Sequence, residues 1–378
     1  MKNNRRIKVL HLISGDLWAG AEAQAEMLLS WLKRNPELEV SAIIFNEGRL
    51  SQRLKSLDIP VYVLDERRDN SFLLFMKVRK VLSKDRIQIL HTHRYKENVI
   101  GGLASALSGV PCLVQTAHGS SEPFRGIKKI KADLYDLLDR WTTISLFHKI
   151  IVVSSQQGEM FKERLNGSRT VCIHNGVDLQ KIKAKRSRIE VRRDLGIGED
   201  SPLIGTAGRL VPVKGLNYLL RAAKLMHRES PGLKVLMIGK GPERKSLEDT
   251  VSKLGIGSQV IFTGEREDVY DLISATDLLV LPSLSEGLPM VLLEALALEV
   301  PVVASAAGGI PEVITHGSTG FLVQPKEERA LAEACLYLLE NRAQARALAR
   351  EGKKLVRTKF SAEVMAQKVF HLYEDLVR

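Results

Sequence analysis

The amino-acid sequence predicts an α/β protein built from two doubly wound, parallel-sheet domains. Three observations carry this expectation. The chain has 378 residues, about right for two domains of ordinary size. Its short apolar runs are near-continuous in Val, Ile and Leu, as in strands buried on both faces of a parallel sheet. Segments of helical apolar spacing lie between them, giving a βαβα alternation.

In chain order, Ile7–Ser14, Val40–Phe45, Val61–Leu64, Ile87–His91, Cys112–Ala117, Ile150–Ser154 and Thr170–Ile173 read as strands. Ala21–Lys33, Phe72–Leu82 and Asn98–Leu107 read as the helices between them. Lys181, Lys183, Lys185, Arg186 and Arg188 then crowd together, followed by Gly196, Gly198 and Pro202. The stretch 181–200 is therefore expected to be a surface linker at a domain boundary. A second alternation follows, with strands at Leu203–Ala207, Val235–Ile238, Val260–Thr263, Leu278–Leu281, Val302–Ala304 and Phe321–Val323. Leu216–His227, Leu288–Leu298 and Arg329–Leu339 read as helices, and an amphipathic helix begins at Ser361.

Composition narrows the function. Hydrophobic residues make up 44% and charged residues 26%, which suits packed cores rather than disorder. Cys112, Cys172 and Cys335 are too few and too scattered for a disulfide framework or a thiolate zinc module, and they fit a reducing cytoplasm. Nothing resembles a signal peptide or a spanning segment; Leu288–Ala304 is interrupted by Glu294 and Glu299. The net charge of +12 lies entirely in residues 1–190, with 32 Lys and Arg against 20 Asp and Glu. That half is expected to meet something anionic.

Doubly wound domains bind ligands beyond the carboxyl ends of their strands, so the chemistry is sought there. Ser14-Gly15 closes the first strand and Gly20-Ala21-Glu22 opens the next helix, where backbone N–H groups can approach an oxyanion. His118-Gly119 follows another strand end, in a turn that exposes the imidazole. His91 and His93 share a strand face, but no third ligand is evident beside them, so no metal is expected. Arg209 and Lys214 flank a loop between a strand and a helix, two cations suited to adjacent phosphates. Glu286 sits in a turn, and Glu294 inside an apolar helix needs hydrogen-bond donors, which ligand hydroxyls would supply. There is no Asp-x-Asp pair for a divalent ion, so phosphate charge would fall to Arg209, Lys214 and backbone N–H groups.

These pieces, taken in order, resemble the retaining GT-B glycosyltransferases of family four, the group 1 glycosyl transferases. The resemblance runs through Gly20-Ala-Glu22, His118-Gly119, His174-Asn-Gly-Val-Asp178, Gly208 to Gly215, and Ile238-Gly-Lys-Gly-Pro242. It continues through Phe262-Thr-Gly264, Pro282 to Pro289 with Glu294, and Gly308-Gly-Ile-Pro-Glu312. One departure is Ala19-Gly20, where many relatives carry two glycines.

The resemblance implies a GT-B fold of two Rossmann-like domains facing each other across a cleft. Residues 1–185 would bind the acceptor, residues 186–360 the nucleotide sugar, and the helix of 361–378 would pack back on the first domain. It implies that Arg209 and Lys214 bind the donor diphosphate without metal and that Glu294 holds the ribose. Glu286 would hold the donor sugar, with the backbone at Gly287 and Leu288. Gly20 would let backbone approach the phosphate or the acceptor, Gly239 would belong to the donor site, Arg266 would lie near the base, and His118 near the transferred sugar. His118, Arg209, Lys214 and Glu286 form the expected catalytic set.

The implied co-substrate is a nucleotide-diphosphate sugar, expected to be a UDP-sugar, and no cofactor is expected. The implied acceptor is a saccharide or lipid-linked saccharide in surface polysaccharide or glycolipid synthesis. Arg125, Lys128, Lys129 and Lys131, interleaved with Phe124, Ile127, Ile130 and Leu134, suggest a peripheral enzyme on the anionic cytoplasmic face of a membrane. Two rivals stand beside this reading. A GT-B-shaped nucleotide-sugar epimerase would need its own acid/base carboxylates and no acceptor groove. A nucleic-acid-binding protein is disfavoured, because aromatics are only 5% and none interleave with the basic cluster at 181–188.

Overall fold

The computed structural model describes residues 6–15, 18, 20–118, 127–165 and 169–378, and within 127–134 and at 164–165 only the backbone. The chain forms two compact units, residues 1–175 with 362–378, and residues 176–361.

Unit 1 carries β1 (Ile7–Ser14), α1 (Gly20–Leu32), β2 (Leu38–Phe45), α2 (Arg49–Ser56), β3 (Val61–Leu64), α3 (Ser71–Asp85) and β4 (Ile89–Thr92). It continues with α4 (Tyr95–Ser108), β5 (Cys112–Ala117), α5 (Ile127–Leu146), β6 (Lys149–Val152), α6 (Ser155–Leu165) and β7 (Thr170–Cys172). The seven strands are all parallel in the order β3-β2-β1-β4-β5-β6-β7. The chain winds outward one way from β1, then returns to start the other half at β4. The switch point is therefore between β1 and β4.

Alternation along β1 feeds two cores. Leu10 and Leu12 pack with Leu74, Val78 and Ile100 on one side of the sheet. Val9 and Ile13 pack with Leu28 and Leu50 on the other. The last helix of the chain, which adds Ala362, Met365, Val369 and Tyr373, completes this second core.

Unit 2 carries α7 (Arg188–Asp194), β8 (Leu203–Ala207), α8 (Leu216–Glu229), β9 (Lys234–Ile238), α9 (Arg244–Leu254), β10 (Val260–Gly264), α10 (Val269–Ser274) and β11 (Leu278–Leu281). Then come α11 (Met290–Ala297), β12 (Val302–Ser305), β13 (Phe321–Val323), α12 (Glu328–Glu340) and α13 (Arg342–Lys359). The tail helix, α14 (Ala362–Val377), returns to unit 1. The six parallel strands run β10-β9-β8-β11-β12-β13, with the switch point between β8 and β11.

The stretch 181–200 is not an open linker, and the unit boundary falls at Asn175–Gly176, ahead of residue 185. Ser187 and Glu190 form a capping box that starts α7. Asp271 accepts the backbone N–H groups of Lys185 and Arg186, at 2.5 and 3.2 Å. Arg192 is 1% exposed. Its guanidinium donates to the carbonyls of Ala275, Gly198, Glu199 and Ser201 and to Asp277, so each of its three nitrogens meets an acceptor. The basic composition hid a helix whose one buried cation ties the segment to β8 and β11.

Candidate active site

In unit 2 the candidate cations stand at the switch point. β8 ends at Ala207, and Gly208-Arg209 leads into a single 3₁₀ turn, Pro212–Lys214, before α8. Thr206, Gly208, Arg209, Lys214, Pro282 and Ser283 line a small recess there. The shape is set by backbone packed against backbone. Gly215 has φ +63, and a Cβ would lie 2.1 Å from the Pro282 carbonyl. Leu284 donates its N–H to Val213 at 2.8 Å. Gly308 has φ +58, and a Cβ would lie 1.9 Å from the Glu286 carbonyl. Only glycine fits either position, and together they clasp the loops after β8, β11 and β12.

This clasp brings Lys214 and Glu286 into contact. Lys214 Nζ lies 2.7 Å from Glu286 Oε1, and the Ser283 hydroxyl donates to the same oxygen at 2.7 Å. Both charged side chains are partly buried. The cation and the carboxylate singled out in the sequence are thus held together as one ion pair. Sequence reading names both residues but not their pairing, nor Ser283.

Glu294 projects from α11 beside the Tyr270 hydroxyl, which donates to it at 3.4 Å. Burial pushes the Glu294 carboxyl up to about 7, and the Tyr270 hydrogen bond opposes this only in part. Gly287 and Leu288 are buried in the turn before α11, and the Gly287 carbonyl accepts from Gly309 N–H at 2.6 Å. Gly239 closes β9 with φ +133 and donates its N–H to the Gly264 carbonyl. Arg266 lies after the edge strand β10, away from the switch point. It is exposed and forks onto Asp268 with both bonds at 2.7 Å, a pairing that raises its pKa.

In unit 1, Gly20 is the exposed first residue of α1, and a Cβ there would meet no described atom within 4 Å. Nothing described in the fold itself requires glycine at that point. Ala19 and Gly119 lie outside the described residues.

His118 follows β5 and is partly buried. It is one end of a histidine cluster that sequence reading missed. Its Nε2 lies 3.0 Å from His93 Nδ1, and His93 Nε2 lies 3.0 Å from His11 Nδ1. His11 is the third histidine beside His91 and His93, opposite His91 in the β1–β4 register. His91 itself sits inside β4, because that strand runs on to Thr92. The three histidines bring ring nitrogens within 4.8 Å of one another. Those nitrogens are already engaged with each other, with Tyr373 and with Thr116, so the geometry is a hydrogen-bonded chain and not an open ligand cage. Desolvation lowers the pKa of all four rings, to about 3 for His11 and His118, and the Arg94 guanidinium adds to the effect at His93 and His118. All four are therefore neutral at pH 7.

Two doubly wound parallel sheets, each with its own switch point, define an α/β fold of the GT-B class. Comparison with known proteins gives the family. The group 1 glycosyl transferases match residues 187–355, and glycosyltransferase family 4 matches residues 18–181. The chain belongs to the group 1 glycosyltransferases. It is 25% identical over 385 residues, 98% of each chain, to the UDP-Gal:alpha-D-GlcNAc-diphosphoundecaprenol alpha-1,3-galactosyltransferase of Escherichia coli. It is 26% identical over 309 residues to the N-acetyl-alpha-D-glucosaminyl L-malate synthase of Bacillus anthracis, covering 81% of this chain and 79% of that one. The structure of Anabaena HepE in complex with UDP-glucose superposes with a TM-score of 0.85 at 24% identity, over 98% of this chain and 100% of that one.

Proposed function

We propose that this glycosyltransferase moves a sugar, with retention, from a UDP-sugar to a lipid-linked saccharide, and that it does so without a metal. The observation that carries the reading is the convergence of Arg209 and the Lys214–Glu286 pair at the switch point of unit 2. Departure of the donor's diphosphate builds negative charge on its oxygens and positive charge on the sugar ring. Fixed cations aimed at those oxygens stabilise the transition state more than the ground state. Lys214 would exchange part of its contact with Glu286 for phosphate, and Glu286 would then accept from sugar hydroxyls. Glu294 would accept from the ribose diol, with Gly239 and the backbone of Gly287 and Leu288 lining the donor and Arg266 toward the base. Retention is assigned to front-face attack, with the leaving phosphate helping to take the acceptor's proton. A nucleotide donor and a diphosphoundecaprenol acceptor in the Escherichia coli relative's name support the choice of substrates.

The membrane part of the proposal rests on α5. Phe124 and Arg125 lie outside the described residues, as do the side chains of Lys128, Lys129 and Lys131. Further along the same helix, Leu137 and Trp141 are 64% and 53% exposed, and Leu138 and Ile144 are exposed beside them. An apolar face that continues a basic helix start suits peripheral contact with anionic lipid. Among the described residues no helix is long and apolar enough to cross a membrane.

Three outcomes test these statements. Arg209→Ala and Lys214→Ala should each lose ~2–4 kcal/mol of transition-state stabilisation in a UDP-release assay, the scale for one preorganised contact, while activity survives EDTA. Rates within twofold of the parent, or a loss with EDTA that magnesium restores, contradict the phosphate site.

Glu294 supplies the second. A neutral carboxyl must ionise to accept two hydroxyls, so affinity for UDP-glucose should rise as pH climbs through about 7 and level off above it. Glu294→Gln should bind more weakly with a flat profile from pH 6 to 8. A flat profile in the parent contradicts the ribose role.

The third is sedimentation with anionic vesicles at low salt. The parent should pellet, and the triple change of Lys128, Lys129 and Lys131 to Glu should remain in the supernatant while donor affinity holds. A parent that stays in solution overturns the membrane assignment.

A further inference from the structure

The histidine chain of unit 1 continues beyond the three rings. Starting from its buried end, Thr116 Oγ1 lies 2.7 Å from His91 Nε2. His91 Nδ1 lies 2.5 Å from the Tyr373 hydroxyl, and that hydroxyl lies 3.2 Å from His11 Nε2. His11 Nδ1 reaches His93 Nε2, and His93 Nδ1 reaches His118 Nε2, both at 3.0 Å. Six groups are thus joined by five hydrogen bonds in a single unbranched line. Thr116, His91, His11, His93 and Tyr373 are all at most 3% exposed, and only His118 is more open to solvent. The rings lie against one another as well. His91–His93 and His93–His118 are stacked, with centroids 4.6 and 5.3 Å apart.

A neutral imidazole carries one N–H and one bare nitrogen. Every link must hold one hydrogen, because two would collide and none would leave two lone pairs facing each other. The six groups offer six hydrogens for five links. Each imidazole inside the line must donate to one neighbour and accept from the other, so the sixth hydrogen is on a hydroxyl turned out of the line, at Tyr373 or Thr116, or on His118 Nδ1. Tyr373 is fully buried and its hydroxyl meets no other described partner, so its hydrogen stays in the line and all five bonds point the same way. The sixth hydrogen is then either on the Thr116 hydroxyl, turned away from the chain, or on His118 Nδ1.

Thr116 decides between them. It is 3% exposed, and its hydroxyl has no described neighbour in hydrogen-bond reach other than His91. A hydrogen turned away would be buried without an acceptor, which costs about 1–3 kcal/mol. The hydroxyl therefore donates to His91 Nε2. His91 Nδ1–H then donates to Tyr373, Tyr373 O–H to His11 Nε2, His11 Nδ1–H to His93 Nε2, and His93 Nδ1–H to His118 Nε2.

We propose that Thr116, His91, Tyr373, His11 and His93 are positioning residues that together hold His118 in its neutral Nδ1–H tautomer. His118 then presents a hydrogen-bond donor, not a base, at the open end of the chain. Tyr373 belongs to α14, so a residue of that helix sets the chemical state of a residue that follows β5. The consequence for transfer rests on the placement of His118 near the transferred sugar, which the family resemblance implies. The tautomer itself does not, and can be measured without substrate.

The test is long-range ¹H–¹⁵N correlation on full-length, ¹⁵N-histidine-labelled protein at pH 7, with His118 assigned through His118→Gln. The parent should show His11, His91, His93 and His118 all neutral and all carrying the proton on Nδ1. Thr116→Val removes the deciding hydroxyl without changing side-chain shape. Tyr373→Phe breaks the middle link and keeps the ring in the core. Each should cost His118 its single Nδ1–H signature and give mixed Nδ1–H and Nε2–H populations, with circular dichroism unchanged. Thr116→Val carries the test if Tyr373→Phe does not fold. A His118 that is Nε2–H or protonated in the parent overturns the proposal, as does one that keeps a pure Nδ1–H signature in a folded variant. If the tautomer behaves as stated but His118→Gln transfers sugar at the parental rate, the chain stands and the placement of His118 beside the sugar fails.

Discussion

Much of the candidate donor site depends on backbone meeting backbone at the β8/β11 switch point. Reversal of strand order there leaves a gap between adjacent loops, and loops in such a gap have no strand partner to shape them. Here the loops shape each other. Gly215 fits under the Pro282 carbonyl and Gly308 under the Glu286 carbonyl, approaches that any side chain would block. Once the backbones are locked, Lys214 and Glu286 have little choice but to meet. Their pairing makes charges available in fixed positions rather than contributing much stability, since partly exposed pairs are weak in water. Preorganised charge of this kind is what stabilises a leaving diphosphate without reorganisation at the moment of reaction.

Unit 1 handles polar groups in another way. Its switch point, between β1 and β4, carries His11 and His91 side by side on adjacent parallel strands. Four imidazoles beneath a helix would be costly if they were charged or unpaired. They are accommodated because each is neutral and hydrogen-bonded to its neighbour in the line, with α14 supplying the Tyr373 hydroxyl that joins His91 to His11. A buried polar network of this sort is stable only when complete. This gives α14 a role beyond burying Met365 and Val369 against the sheet.

Much of this was legible in the sequence, for physical reasons. Strands buried on both faces must be apolar throughout, so Ile7–Ser14 and Leu203–Ala207 stand out at their true bounds. Loops at strand ends carry glycine, proline and charge together, which made Arg209, Lys214 and Glu286 visible. His11 was hidden because one polar residue inside Ile-Lys-Val-Leu-His-Leu-Ile-Ser reads as noise in an apolar run. Its significance lies in its register with His91, a relation between residues 80 apart. Tyr373 was hidden for the same reason, 282 residues from its partner. Helix α7 was hidden by its own charge, since nothing local distinguishes the buried Arg192 from the exposed Arg193 beside it. The pairing of Lys214 with Glu286 was invisible because it follows from where two glycines let the chain pass.

The most direct test of the donor site is a crystal structure of the protein with UDP. The diphosphate should lie within hydrogen-bond distance of Arg209 and Lys214, with Lys214 drawn away from Glu286 and both glycine contacts kept. A diphosphate bound elsewhere, or one bound while Lys214 and Glu286 remain paired at 2.7 Å as they are now, would contradict it.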